Sequence, residues 1–172
     1  MASLKSTYTK TILQTWSANI CLLLEKTMLF QQASCVALYY ALPGEVGTAS
    51  LLEKWYQQKK LVLPLVKGND LQFQQYLGKD ALQKGAFNIW EPNDTCPIVG
   101  LQEIELIIVP GGAFDRSCNR LGRGKGFYDR ILTQLEIPKI GICFDFQLKE
   151  HIPTEAFDEK MDVILTETTA IE

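Results

Sequence analysis

The chain has 172 residues, 47% of them hydrophobic and 22% charged, which suits one globular domain with a sizeable core. A net charge of −3 excludes the global electrostatic footprint of a nucleic-acid binder. Five of the 17 basic residues (Arg116, Arg120, Arg123, Lys125 and Arg130) nevertheless fall within 15 residues, a local cationic site that suits a small anion better than a polyanion.

In chain order, Ile12, Trp16, Ile20, Leu24 and Met28 recur every four residues within residues 9–30, the stripe of a core-facing helix. Residues 33–40 (ASCVALYY) read as a buried strand, closed by the Pro43-Gly44 turn. A helix is expected over 48–60, with Thr48 as N-cap and Leu51, Leu52, Trp55 and Tyr56 facing inward. Residues 61–66 (LVLPLV) form a second strand, in which Pro64 suggests an end or bulge near a site. Residues 71–76 (LQFQQY) alternate as a half-exposed strand does. Glu91-Pro92-Asn93-Asp94 reads as a turn or loop, preceded by Trp90. Residues 105–110 (ELIIVP) carry the strongest parallel-strand pattern; a loop rich in Gly and Arg and a helix over 126–135 follow. Strands are expected at 139–144 (KIGICF) and 162–165. This alternation predicts an α/β sheet with helices on both faces and ligands beyond the carboxyl ends of its strands, where the Gly/Arg loop lies. No repeat or linker divides the chain, so one domain is expected over 1–172.

The cysteines, at 21, 35, 96, 118 and 143, have no CxxC spacing, and the lone His151 has no cysteine within metal-ligand spacing. Zinc is not expected, and an odd count without a framework fits reduced thiols in the cytoplasm. Cys118 lies in the basic loop with no histidine near it in sequence to activate it. The apolar residues 20–24 run into Glu25 and Lys26, too short a stretch to span a bilayer, and they start too late for a signal peptide.

Residues 109–130 (VPGGAFDRSCNRLGRGKGFYDR) carry the chemistry. Gly122, Gly124 and Gly126 alternate with Arg123 and Lys125. Glycine lets backbone approach an anion closely, successive amides can form an anion nest, and the cations add full charge: the makings of a triphosphate site. The order differs from a Walker A loop, since Lys125 precedes Gly126, and from the dinucleotide GxGxxG pattern, since the spacing here is GxGxG. Asp129 falls one turn into the following helix, where magnesium gives a carboxylate beside phosphates a purpose. The plainer alternative for Asp129 is a surface pair with Arg130 or a nearby lysine.

These residues are recognisable. PGGAFD followed by NRLGRGKGFYDR resembles the motifs P-G-x-x-F-D and R-L-G-x-G-x-G-x-Y-D of the 5-formyltetrahydrofolate cyclo-ligase (methenyltetrahydrofolate synthetase) family. LYYALPGEVGT resembles the family's segment ending in Glu-x-x-Thr, LVLP its next strand, and Trp90-Glu91-Pro92 its mid-chain aromatic-Glu-Pro. KIGICFDFQ and MDVILTE fit as well, so the likeness covers residues 33–166.

The resemblance implies a three-layer α/β/α, Rossmann-like single domain with a mostly parallel sheet. It implies ATP with Mg2+ and 5-formyltetrahydrofolate, acted on by a monomer without nucleic acid or membrane. Arg120, Leu121, Gly122, Arg123, Gly124, Lys125, Gly126, Phe127 and Tyr128 would meet ATP, with Arg123, Lys125 and Asp129 catalytic. Asp129 would hold the metal, with Asp162 a second candidate. Glu45 would contact the folate, its carboxylate suited to paired hydrogen bonds from an aminopyrimidine edge; Tyr40, Phe73, Trp90 and Tyr128 would wall the rings. Two departures stand out. The family usually opens with a helix carrying Lys and, four residues later, Arg; here Lys5 is present but no arginine precedes residue 116, so that helix reads as shortened. Phe127 also stands where many relatives have tyrosine. An active cyclo-ligase is the first reading. A non-catalytic folate-binding relative is favoured by the missing basic pair. An ATP-dependent enzyme of the same fold on another substrate is favoured if Glu45 and Trp90 do not line a pocket beside the glycine loop.

Overall fold

The computed structural model describes residues 7–172. Lys5 lies outside them. The Thr9 hydroxyl accepts a hydrogen bond from the Ile12 N–H at 3.3 Å and starts helix α1 (Lys10–Lys26). Thr27 then does two jobs. Its N–H bonds the Leu24 carbonyl and ends α1, while its hydroxyl accepts from the Phe30 N–H and opens α2 (Met28–Gln32). The expected continuous helix is therefore broken at a threonine, and of its stripe only Ile20 and Leu24 are fully buried. Helix α3 is Ala49–Trp55. Thr48 occupies its N-cap position, but its hydroxyl donates to the Tyr39 carbonyl at 2.5 Å instead of capping.

The strands are β1 (Cys35–Ala37), β2 (Lys60–Lys67), β3 (Asp70–Gln75), β4 (Leu82–Lys84), β5 (Trp90–Pro92), β6 (Ile98–Val99), β7 (Leu106–Val109), β8 (Ala113–Asp115), β9 (Arg120–Leu121), β10 (Lys139–Ile142), β11 (Leu148–Lys149), β12 (Val163–Leu165) and β13 (Ala170–Ile171). Eight of them form one sheet in the order β13-β12-β10-β7-β1-β2-β3-β6. The run from β12 to β2 is parallel, and β13, β3 and β6 join antiparallel at the flanks. The middle strands β7 and β10 are buried along their whole length and apolar except for Lys139 at the start of β10, because both faces are covered. Val36, Leu106, Ile108, Ile140 and Ile142 face the core under α1, α2 and α3. Ala37, Ile107, Val109 and Ile164 face the other side.

That second face departs from the expected helical layer. It is covered by one short helix, α4 (Phe127–Leu132), and by a small sheet of β11, β8 and β9 through Phe114. The glycine-rich sequence explains this: it folds as strand, turn and a six-residue helix, where a longer helix was expected. Trp90-Glu91-Pro92, expected before and within a loop, pairs with residues 82–84 as a hairpin. Pro64 sits inside eight-residue β2 with no break. Its strand has already outrun β1, whose pairing stops at Val62, so on that side the missing N–H costs no ladder bond.

The chain leaves β1 toward β2 on one side and returns through β7 on the other. This places the point where strand order reverses between β1 and β7. In open α/β sheets ligands bind just beyond the carboxyl ends there.

Candidate active site

Tyr39 and Tyr40 follow β1, and Pro110 and Gly111 follow β7; all four line one cavity of about 330 Å³. The cavity therefore sits at the reversal point. Its second wall comes from the glycine loop through Gly122, Arg123, Lys125 and Gly126, continued by Phe127, Tyr128 and Asp129. Glu45 and Leu42 close one side, and Phe87 and Ile89, from the loop joining β4 to β5, close another.

The glycines act through conformation. Gly124 (φ 87°) and Gly126 (φ 71°) occupy left-handed backbone that side chains resist. Among the described residues, no backbone carbonyl accepts from the amides of residues 122–126. Successive amides of this kind can form an anion nest, and the cavity adds Arg120, Arg123 and Lys125.

Two carboxylates offset two of these three cations. Asp129 Oδ1 lies 2.6 Å from Arg120 Nη2, and Arg120 Nη1 donates to the Pro110 carbonyl at 3.1 Å. With only 5% of its side chain exposed, Arg120 is a strut joining the turn after β7 to α4 more than a free cation. Glu45 Oε1 lies 3.0 Å from Arg123 Nη2, and its Oε2 accepts from the Leu42 N–H at 2.8 Å. The Lys125 ammonium lies 5.1 Å from the centre of the Phe87 ring. Burial, reinforced by the Glu45 charge, pushes the Tyr128 phenol well above its ordinary pKa, so it stays protonated and can donate.

The expected residues divide in the structure. Glu45, Tyr40, Arg120, Gly122, Arg123, Lys125, Gly126, Phe127, Tyr128 and Asp129 line the cavity; Leu121 and Gly124 belong to the loop without lining it. Phe73 lies elsewhere: it is 1% exposed in the core, paired with Pro64. Trp90 is 38% exposed on the hairpin, under the Lys84 ammonium, and does not line the cavity. Phe87, three residues earlier, holds the place expected of it. The hairpin explains the displacement: its loop bends back through Phe87 and Asn88, both at φ 57°, and delivers Phe87 to the cavity. That doubled left-handed bend at non-glycine residues leaves no sequence pattern. Asp162 is also misplaced. It exchanges hydrogen bonds with the Lys139 backbone at the amino ends of β10 and β12, the opposite edge of the sheet from Asp129. Among the described residues Asp129 pairs with Arg120, neither with Arg130 nor with a lysine. All five cysteines are buried and free, and burial pushes the Cys118 thiol up, against any role as a nucleophile.

Comparison with known proteins follows this geometry. The 5-formyltetrahydrofolate cyclo-ligase family profile matches residues 2–167. The chain belongs to this family. It is 35% identical over 144 residues to the 5-formyltetrahydrofolate cyclo-ligase of Haemophilus influenzae, covering 78% of this chain and 76% of that protein. It is 32% identical over 142 residues to that of Escherichia coli K12, covering 78% of each. The NMR structure of Aquifex aeolicus 5,10-methenyltetrahydrofolate synthetase superposes with a TM-score of 0.89 at 32% identity, covering 98% of this chain and 87% of that one. The Mycoplasma pneumoniae synthetase shares the fold at 22% identity, with a TM-score of 0.77 over 96% of this chain and 93% of that one. As a cyclo-ligase, the chain has the mostly parallel α/β sheet of its relatives with few helices around it.

No group of three or more His, Cys, Asp or Glu among the described residues is arranged to hold a metal by itself. A magnesium site that keeps waters and takes phosphate oxygens needs only one or two protein carboxylates, and the cavity is lined by two, Asp129 on the glycine-loop side and Glu45 across from it.

Proposed function

We propose that this cyclo-ligase uses ATP to convert 5-formyltetrahydrofolate to 5,10-methenyltetrahydrofolate, ADP and phosphate. The observation that carries the reading is that one cavity joins the glycine loop and its cations to Glu45, Tyr40 and Phe87. A triphosphate fits the first wall. A flat ring with an aminopyrimidine edge fits the second. The reacting groups then meet between them.

In this reading the formyl oxygen attacks the γ-phosphorus and ADP leaves. N10 of the folate then attacks the formyl carbon and gives up its proton, and phosphate departs with the former formyl oxygen. Phosphoryl transfer needs positioning and charge stabilisation more than a protein nucleophile. The amides of residues 122–126 hold the phosphates, and Lys125 and Arg123 answer the charge that moves during transfer. Asp129 would hold magnesium together with the phosphates, the metal supplying charge neutralisation there. Glu45 accepts hydrogen bonds from the pterin, Phe87 packs on the ring, and Tyr128 donates. Closing the cavity with both substrates excludes water from an intermediate that water would hydrolyse.

No helix among the described residues is long and apolar enough to cross a membrane. The free, buried thiols fit a reducing, cytoplasmic setting, and the single-chain cavity fits a monomer acting on small molecules. The test is to follow methenyl product by its near-ultraviolet absorbance. It should appear only when ATP, magnesium and 5-formyltetrahydrofolate are present together, with one ADP per product. Tight folate binding without turnover would favour a non-catalytic carrier instead.

A further inference from the structure

We infer that Gln147 is a positioning residue for the phosphate half of this reaction. The inference rests on the placement of ATP against the glycine loop. Gln147 lies on the loop after β10 and is 1% exposed. Its Nε2 donates to the Gly111 and Gly112 carbonyls, both at 3.2 Å, and its Oε1 accepts from the Phe144 N–H at 3.1 Å. Only one orientation of the side-chain amide satisfies these three partners, since two are acceptors and one a donor.

The turn it grips is the one that follows β7. Arg120 takes the Pro110 carbonyl, so three successive carbonyls, of residues 110, 111 and 112, are all bonded to side chains. This matters beside an anion. A carbonyl oxygen turned toward a phosphate repels it, and side-chain donors hold these three in place. The turn also transmits position. The Gly112 N–H donates to the Leu121 carbonyl at 2.8 Å, at the end of β9, immediately before the glycine loop. Gln147 thus links β10, through the turn after β7, to the start of that loop. The folate wall of Glu45, Tyr40 and Phe87 hangs from other elements and meets the glycine loop only past its start, through the flexible side chains of Arg123 and Lys125. Loosening Gln147 therefore shifts ATP much more than folate.

Gln147→Glu keeps the shape and the bond from Phe144, but as a carboxylate it confronts two carbonyl oxygens. Burial and those lone pairs raise its pKa, and the protonated acid can donate to one carbonyl again. Steady-state kinetics of the full chain should be measured at about pH 6.5 and about pH 8.5, each variant as a ratio to its parent at the same pH. At the higher pH, the Gln147→Glu ATP KM should rise about tenfold or more, with the 5-formyltetrahydrofolate KM within about twofold of the parent. At the lower pH the ATP KM should move back toward the parent. Gln147→Met, which cannot titrate, should raise the ATP KM equally at both; it also serves if the glutamate variant does not fold. A parent that turns over ATP and variants that match it would overturn the inference alone. Equal, pH-independent rises in both KM values would overturn it too, as general loosening. A parent with no ATP-dependent turnover would overturn the functional reading and this inference with it.

Discussion

The Arg123 guanidinium lies 3.0 Å from the Glu45 carboxylate, so one ion pair fastens the glycine loop to the loop that follows β1. Glu45 is 7% exposed in its side chain, and the Leu42 N–H fixes its second oxygen at 2.8 Å. A carboxylate engaged at both oxygens is fixed in direction. Arg123 is much more exposed; turning it to a phosphate would leave the buried Glu45 carboxylate to be answered by donors of the other substrate.

Glu45→Gln should weaken folate binding. A charge-assisted hydrogen bond is worth roughly 1.5–3 kcal/mol, so the 5-formyltetrahydrofolate KM should rise about tenfold or more while ATP binding and the fold persist. Steady-state kinetics with each substrate varied in turn will check it. An unchanged folate KM would remove Glu45 from the site.

Phe87 and Trp90 separate what the geometry indicates from what the motif suggested. Phe87→Ala removes a ring that lines the cavity and faces the Lys125 ammonium, and should raise the folate KM about tenfold. Trp90→Ala removes a ring that does not line it and should change that KM by less than about threefold, a surface-like effect. The reverse ranking in the same assay would return the folate wall to Trp90.

Lys125→Ala and Asp129→Asn should each lower kcat by about two decades or more, with much smaller effects on folate KM. Added magnesium should partly rescue Asp129→Asn and leave Lys125→Ala unaffected, because only the first loses a metal ligand. Asp129→Asn also releases the Arg120 strut, so its rescue should stay incomplete. Two folded variants with parental rates would remove the glycine loop from the phosphate site.

Asp115 gives a stability prediction. Its Oδ1 accepts from the Ser117 and Asn119 N–H groups, and its Oδ2 from the Asn119 side chain and the Ile152 N–H. Burial pulls its pKa up, but these bonds outweigh it, led by the Asn119 side chain, and hold the carboxyl below the usual value. A depressed folded pKa contributes stability above the unfolded value, near 3.9, which is lost as pH falls through the folded one. Chemical denaturation should therefore show Asp115→Ala less stable than its parent at neutral pH, since leaving these part-buried N–H groups without their acceptor costs roughly 1–3 kcal/mol in all. The gap should narrow below about pH 4. A constant gap from neutral pH to about pH 3 would contradict the assignment.

Much of this was legible in the sequence because the chemistry is local. The run from Arg120 to Asp129 fixes loop, charges and glycines within ten residues, and most of them reach the cavity together. The runs at 105–110 and 139–144 gave away the buried strands because burial on both faces leaves them apolar after their first residue. What depended on distant pairing was hidden. Phe73 alternates like a half-exposed residue, and only its position between β2 and β6 shows that its face is core. The Phe87 bend, the Asp162 bonds to Lys139 and the grip of Gln147 on Gly111 all join residues that no local pattern links. The small sheet beside the helix on the second face was hidden for the same reason. Short strands β8, β9 and β11 take their stability from one another, not from any run of their own.

In the proposed reaction ATP activates the formyl group by phosphorylating its oxygen at the glycine loop. The direct measurement uses 5-formyltetrahydrofolate carrying 18O in the formyl group, turned over once with ATP and magnesium, with the phosphate analysed by mass spectrometry. The account predicts one 18O in each inorganic phosphate released. Label found in water, with unlabelled phosphate, would contradict it.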